Sequence, residues 1–230
     1  NTTIPAAPTK NITMSMNLDS RAEVQQFDIT NPEKTSDFNT SIAVFDNVGT
    51  QRLITIYYNK AADGQWQYHG TIPGEDAQGG LPGTLVEMST GTLQFDPNGK
   101  LQSETSSLNA FNFNKGAAPG QAIDLDFGKS ITEGGTGDDA TTQFGSKSSV
   151  ARHTQDGASA ATLSSLSFND EGVLTAAYDN GTMRDVAQVS IAKFENNEGL
   201  FKMGKNLFKE TRKSGQAAIG KPGRDGRGDV

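Results

Sequence analysis

Apolar and polar residues alternate along this chain in short stretches, and three of those stretches run into the same kind of turn. Leu93 and Phe95 alternate ahead of Asp96-Pro-Asn-Gly99; Leu166 and Phe168 do so ahead of Asn169-Asp-Glu-Gly172, and Leu174, Ala176 and Tyr178 follow it. A period of two puts the apolar side chains on one face of a strand, which predicts half-buried β-strands. Ile123-Asp-Leu-Asp-Phe127 is the cleanest alternation, with one face apolar and the other carrying Asp124 and Asp126. The turns share one device: an aromatic residue, then Asp or Asn, two further residues and a Gly. Asp46 to Gly49, Asp96 to Gly99 and Asn169 to Gly172 fit it. A type I turn starts at the Asp or Asn, and the Gly takes positive φ at the fourth position, which predicts three β-hairpins with a bulge. Pro97 pre-sets the second position of the middle turn.

Helical periodicity is scarce. Leu200, Phe201, Gly204, Leu207 and Phe208 recur at spacings of three and four between Asn197 and Lys213. Gly199 and Gly204 weaken a helix there, so the expectation is short turns or a single helical turn within an extended segment. Ile131 to Ala140 and Gln155 to Ala160 are rich in Gly, Asp, Ser and Thr and read as exposed loops or domain crossings. The fold class expected is mainly β. At 230 residues the chain has room for one large β-domain or two smaller ones, two being preferred.

Composition narrows the function classes. Net charge is -7, and the only basic bias lies in residues 191–230, with nine basic against five acidic side chains. No aromatic interleaving accompanies it, so a nucleic-acid partner is not expected. Cysteine is absent, which excludes disulfides, thiolate metal sites and cysteine nucleophiles. The longest apolar strand-like run, Leu53 to Tyr58, is too short to cross a bilayer as a helix. Asn1 opens no signal-peptide pattern.

Motifs that invite chemistry have plainer readings. His69 and His153 have no carboxylate or second His at ligand spacing, and both read as solvated or turn histidines. Asp124 and Asp126 share one face of one strand, whereas catalytic carboxylate pairs face each other across a cleft. Asp96-Pro-Asn-Gly-Lys100 departs from a calcium loop, with Gly99 fourth and Lys100 fifth. Asn180-Gly-Thr182 fits a glycosylation acceptor but lies in a hairpin. Arg227-Gly-Asp229, a tripeptide read by some animal adhesion receptors, ends a Gly-rich tail that reads as a flexible terminus. The expectation is no catalytic residue, no cofactor and no metal.

From Val189 to Gly215 the sequence resembles the bacterial flagellar hook protein family, a branch of the flagellar axial proteins. The matching positions are Ala192, Phe194, Asn196, Gly199, Leu200, Gly204, Asn206, Phe208, Ser214 and Gly215. Gly172 to Gly181, Val44 to Gly49 with the strand after it, Trp66 and Met16-Asn-Leu-Asp-Ser20 are also similar to that family; residues 100–150 match thinly. Lys202 and the basic run Lys221 to Arg227 depart from the pattern. The resemblance implies an outer domain (12–150) inserted into an inner domain made of 1–11 and 151–230. It also implies a fragment lacking the helical segments of its full-length relatives. The implied function is a structural subunit, not an enzyme, that polymerises with itself into a flexible tubular joint transmitting motor torque. Rod and hook-associated proteins would flank the polymer at its ends. The location would be extracellular, in the flagellum, after export without a cleavable signal peptide, and without membrane insertion.

Phe194, Asn196, Asn197, Glu198, Gly199, Leu200, Gly204 and Asn206 are then the candidate assembly residues. Gly199 is expected to supply positive φ while the Asn side chains shape a bend. Subunit contacts that slide without breaking call for polar surfaces poor in large apolar anchors, and the chain alone is expected to be monomeric at moderate concentration. The alternative is a secreted β-rich adhesin or glycan-binding module, which needs exposed aromatics; only Trp66 with Tyr68 could begin one.

Overall fold

The computed structural model describes residues 2–223, so Arg227-Gly-Asp229 and most of the basic tail lie outside the described residues. The chain is mainly β. In chain order the strands are β1 (Thr3–Ile4), β2 (Asn11–Asn17), β3 (Phe38–Phe45), β4 (Gln51–Ala62), β5 (Gln65–Pro73), β6 (Leu85–Phe95), β7 (Leu101–Asn109), β8 (Asp124–Asp126) and β9 (Ser149–Gln155). They continue with β10 (Ala161–Phe168), β11 (Val173–Tyr178), β12 (Met183–Gln188), β13 (Ile191–Lys193), β14 (Phe201–Gly204), β15 (Leu207–Lys209) and β16 (Ala218–Gly220). Two compact units result: Pro5–Ala160, and Asn1–Ile4 with Ala161–Val230.

The larger unit holds a five-stranded antiparallel sheet in the order β3-β4-β5-β6-β7 and a three-stranded sheet β8-β2-β9. In the smaller sheet β8 runs parallel and β9 antiparallel to β2. The period-two pattern shows why the two sheets share a core. Ile12, Met14 and Met16 point inward from β2, and Ile54, Ile56 and Tyr58 point inward from β4. Tyr58 reaches Met14 Sδ at 3.1 Å, and Phe127 packs edge-on to Tyr58 with ring centroids 6.2 Å apart. Each large side chain fully buried this way is worth about 1.5–3 kcal/mol. Trp66 is fully buried and donates its indole N–H to Gln143 Oε1 at 2.6 Å, so the segment around Gln143 closes that end of the core.

The compact unit is bounded at Ile4/Pro5 and Ala160/Ala161. The reason is a seam of paired backbone. Ala7 and Ala158 exchange hydrogen bonds at 2.9 and 2.8 Å, and Asp156 Oδ1 accepts from the amides of Lys10 and Asn11. Residues 5–11 and 151–160 therefore stay with the strands they flank. Gln155 to Ala160, read as a crossing loop, is partly zipped into this seam.

The smaller unit is built differently. Its main sheet has the order β1-β10-β11-β12, and two separate two-stranded pairs, β13-β16 and β14-β15, follow. Among the described residues its buried side chains are Ala161, Ala176, Ser214 and Pro222, whereas Leu166 and Phe168 are 54% and 58% exposed. The half-buried strand expected from Leu166 and Phe168 thus forms as a strand, with those two side chains left outside.

Candidate functional site

The three predicted turns join β3 to β4, β6 to β7 and β10 to β11. In each, the Gly amide donates to the carbonyl of the opening residue, at 3.0 Å for Gly49, 2.9 Å for Gly99 and 2.9 Å for Gly172. The Gly φ angles are +84°, +81° and +70°. The opening side chain does the rest. Asp46 Oδ1 accepts from the amides of Val48 and Thr50, Asp96 Oδ1 from those of Asn98 and Lys100, and Asn169 Oδ1 from that of Val173. The Lys100 amide is the largest influence holding the Asp96 carboxyl below its ordinary range, over a smaller opposing effect of desolvation. A carboxylate so fully engaged with its own turn has little left for a cation. Asn180-Gly-Thr182 forms the β11–β12 turn, with Gly181 at φ +83°.

Asp46 has a second role that spacing could not reveal. Its other oxygen, Oδ2, accepts from Arg52 Nε at 3.0 Å, and both residues are buried. Arg52 continues to Asp76 Oδ1 at 2.8 Å and to the Asn114 carbonyl at 2.8 Å, with its guanidinium carbon 5.6 Å from the centre of the Phe113 ring. One cation therefore ties the first hairpin to the turn at Gly74–Asp76 and to the loop carrying Phe113 and Asn114. A buried charge is tolerable only with this number of partners.

The family-motif residues lie in the smaller unit. Asn196 caps a single 3₁₀ turn, Asn197–Gly199, its side chain accepting from the Glu198 amide at 3.1 Å. Thr211 Oγ1 donates to the Gly199 carbonyl at 2.6 Å, and buried Ser214 accepts from the Thr211 amide at 2.8 Å. The motif's distant Ser214 thus closes the loop that Asn196 opens. Gly199 does not lie at positive φ, contrary to expectation. What it needs is room: a Cβ there would sit 2.6 Å from Lys213 C and Ser214 N.

Gly204 and Asn206 belong to a second device. Gly204 pairs with Leu207, and Lys205 and Asn206 between them have φ of +49° and +62°. That is the two-residue loop of a type I′ hairpin, so the segment expected to be extended folds back on itself as β14 and β15. Gly204 itself has φ +92° with open space beside it, a dihedral requirement and not a steric one. Asn196, Asn197 and Glu198 are exposed, while Phe194 and Leu200 are half-buried. Phe201, Met203, Leu207 and Phe208 around them are about 60% exposed. This surface is apolar in part. Their helix-like spacing in the sequence ends in a hairpin that leaves each of these side chains exposed.

The other candidates are dispersed. His69 is a correction: its Nδ1 lies 2.6 Å from Glu87 Oε1, its Nε2 3.2 Å from Asn59 Oδ1, and its ring stacks on Phe27 at 4.0 Å. Glu87 lies on the neighbouring strand, so sequence spacing could not show the pair. Asp124 and Asp126 are exposed, accepting from Asn109 Nδ2 and the Gly128 amide. Trp66 and Tyr68 are both buried and offer no platform to a sugar ring.

An open depression of about 470 Å³ beside the second turn is lined in part by Asp63, Asp96 and Phe144. Asp63 pairs with Lys60 Nζ at 3.0 Å and Asp96 serves its own turn, so neither is poised as an acid or base. Among the described residues, no group of three or more His, Cys, Asp or Glu side chains could hold a metal ion. Nor is any helix among them long and apolar enough to cross a membrane.

Comparison with known proteins bears on these features. The family described as flagellar basal body protein FlaE D2 domain matches residues 17–158. The flagellar hook protein FlgE of Helicobacter pylori strain 26695 is 32% identical over 199 residues, covering 83% of this chain and 26% of that protein. FlgE of Treponema pallidum is 29% identical, with 99% of this chain and 54% of that protein covered. FlgE of Escherichia coli K12 is also 29% identical, with 97% and 52% covered. The chain therefore spans between about a quarter and a half of these relatives. The crystal structure of Helicobacter pylori flagellar hook protein FlgE2 superposes with a TM-score of 0.60 at 13% identity, covering 94% of this chain and 74% of that one. That likeness establishes a shared fold. With the family match running from Asn17, the last residue of β2, through β9 and taking in the whole five-stranded sheet, the chain belongs to the flagellar basal body protein FlaE D2 domain family.

Proposed function

We propose that this chain is part of a structural subunit of the bacterial flagellar hook, which polymerises with itself into the flexible tubular joint that passes motor torque to the filament. The observation that carries the reading is continuity: hook proteins align with 97–99% of the chain, across both compact units and not the larger one alone. On this reading Pro5–Ala160 is the outer domain and Ala161–Val230, with the first residues, belongs to the inner one. The subunit is not an enzyme, works outside the cell within the flagellum, and meets rod and hook-associated proteins at the ends of the polymer. Burial of Trp66 and Tyr68 removes the support for the glycan-binding alternative.

The candidate assembly surface is the smaller unit's motif loop, Asn196 to Leu200, with the hairpin after it. Its exposed Phe201, Met203, Leu207 and Phe208 make it more apolar than sliding contacts would require, so we assign it to a firm contact. The compliant contacts fall to the polar surfaces of the larger unit. The test is deletion of the gene in its own bacterium, followed by electron microscopy of the flagella and a motility assay. Loss of hooks, restored by the intact gene, is expected; hooks of normal length in the deletion strain would overturn the proposal.

A further inference from the structure

Two Asn-Gly steps occur in the chain, Asn98-Gly99 between β6 and β7 and Asn180-Gly181 between β11 and β12. In such a pair the following amide nitrogen can close onto the asparagine side-chain carbon, because glycine has no Cβ to bar the approach. Ring closure needs a side chain folded forward over its own peptide, a donor for the oxygen that takes on charge, and room for the peptide to rotate. At Asn180 the Thr182 amide donates to Oδ1 at 3.0 Å. This Asx-turn folds the side chain forward, and the same N–H serves the oxygen as charge develops on it. Asn180 and Gly181 are exposed, and among the described residues nothing lies within 4 Å of where a Gly181 Cβ would be. The attacking nitrogen is restrained by its bond to the Tyr178 carbonyl at 3.0 Å. Fraying of the hairpin end releases it, and β12, exposed along its whole length, lies at the edge of its sheet.

The other step is caged. Asn98 Nδ2 donates back to Asp96 Oδ2 at 3.2 Å, which turns that side chain toward the start of its turn. Gly99 is buried, its carbonyl accepts from the Gln143 amide at 2.8 Å, and a Cβ on it would sit 2.4 Å from the Gln143 carbonyl oxygen and 2.9 Å from the Phe144 ring. Asn196 forms the same Asx-turn with the Glu198 amide, but the residue after it is Asn197, not glycine.

We propose that Asn180 is a site of spontaneous covalent modification, converting to aspartate and isoaspartate by way of a succinimide. The Gly181 nitrogen bonds to Asn180 Cγ, the Cγ–Nδ2 bond breaks, and the side-chain nitrogen leaves as ammonia with the proton that the Gly181 nitrogen gives up. One water then opens the ring. Attack at Cγ restores the main chain with a carboxylate in place of the amide; attack at the backbone carbonyl carbon leaves the main chain running through Cβ and Cγ. Water is consumed and ammonia released, and no oxidant or reductant takes part. Both products put a negative charge at the hairpin tip. Isoaspartate also lengthens the turn by one backbone carbon, which disturbs the bond from the Tyr178 amide to the Thr182 carbonyl, 2.9 Å long, that closes β11 on β12. The turn ages in this way whether or not the chain builds a hook.

Timed incubation of the 230-residue chain at mildly alkaline pH tests it, read by peptide mapping with electron-transfer fragmentation to separate aspartate from isoaspartate. In the folded chain the Asn180 peptide is expected to gain the mass of an NH2-to-OH exchange about tenfold or more faster than the Asn98 peptide, and unfolding in urea is expected to remove most of that difference. Amides of Met183 to Gln188 are expected to exchange with solvent faster once isoaspartate has formed. Equal rates at the two sites in the folded chain, faster conversion at Asn98, or no conversion at Asn180 overturns the proposal. A difference that persists undiminished in urea overturns it too, since sequence neighbours and not the turn would then set the rate.

Discussion

The two units obey the same strand grammar and differ in what they bury. In Pro5–Ala160 two sheets close on each other around Trp66, Tyr58 and Phe127. In Ala161–Gly223 few side chains are buried, and Phe168, Phe201, Met203 and Phe208 remain exposed. A sheet with one apolar face gains its stability by covering that face. The contrast teaches that alternation forms strands in both units, while large side chains are buried only where a second sheet packs onto the first. It also separates two kinds of work. The larger unit can act as a rigid body, and the smaller one presents apolar surface.

Substitutions can break that contrast. The largest effect is expected from Trp66→Ala, which should lower stability by about 3–5 kcal/mol in urea unfolding. Arg52→Ala comes next, at about 3 kcal/mol, because it leaves Asp46 buried without its cation. The double variant with Asp46→Ala should recover part of that loss. Gly49→Ala should cost about 1–3 kcal/mol, since it needs positive φ and its Cβ would sit 2.6 Å from that of Ala6.

A pH effect follows in size. Burial pushes the Glu104 carboxyl up to about 7, with Glu133 and Asp126 adding to the shift and the Phe127 amide opposing it. The folded larger unit therefore holds this proton more tightly than the unfolded chain. Its contribution is complete below the ordinary value of 4.5 and is lost as pH rises through about 7. Thermal midpoints should decline over that window, and Glu104→Gln should flatten the decline. The smallest effect belongs to Phe208→Ala, within about 0.5 kcal/mol for an exposed site. If it rivals Trp66→Ala, the smaller unit has a core that the comparison denies it.

Much of the local structure was legible in advance. Asp46, Asp96 and Asn169 declared their turns because an Asx side chain and a Gly four positions into the turn act within one short segment. Ile123, Leu125 and Phe127 declared a face for the same reason. Gly199 was misread because its constraint comes from Lys213 and Ser214, distant along the chain and adjacent in space. The Glu87–His69 pair and the Arg52 clip were invisible for a like cause, since each spans separate strands or loops.

The amino-acid order alone determined the strand-rich class, the turn positions and the motif that points to the hook proteins, because those depend on periodicity and on backbone dihedrals within a few residues. Only the tertiary structure decided which apolar faces are covered and which charges are paired. Burial and pairing are properties of chain segments brought together from far apart, and no local pattern specifies which segment arrives.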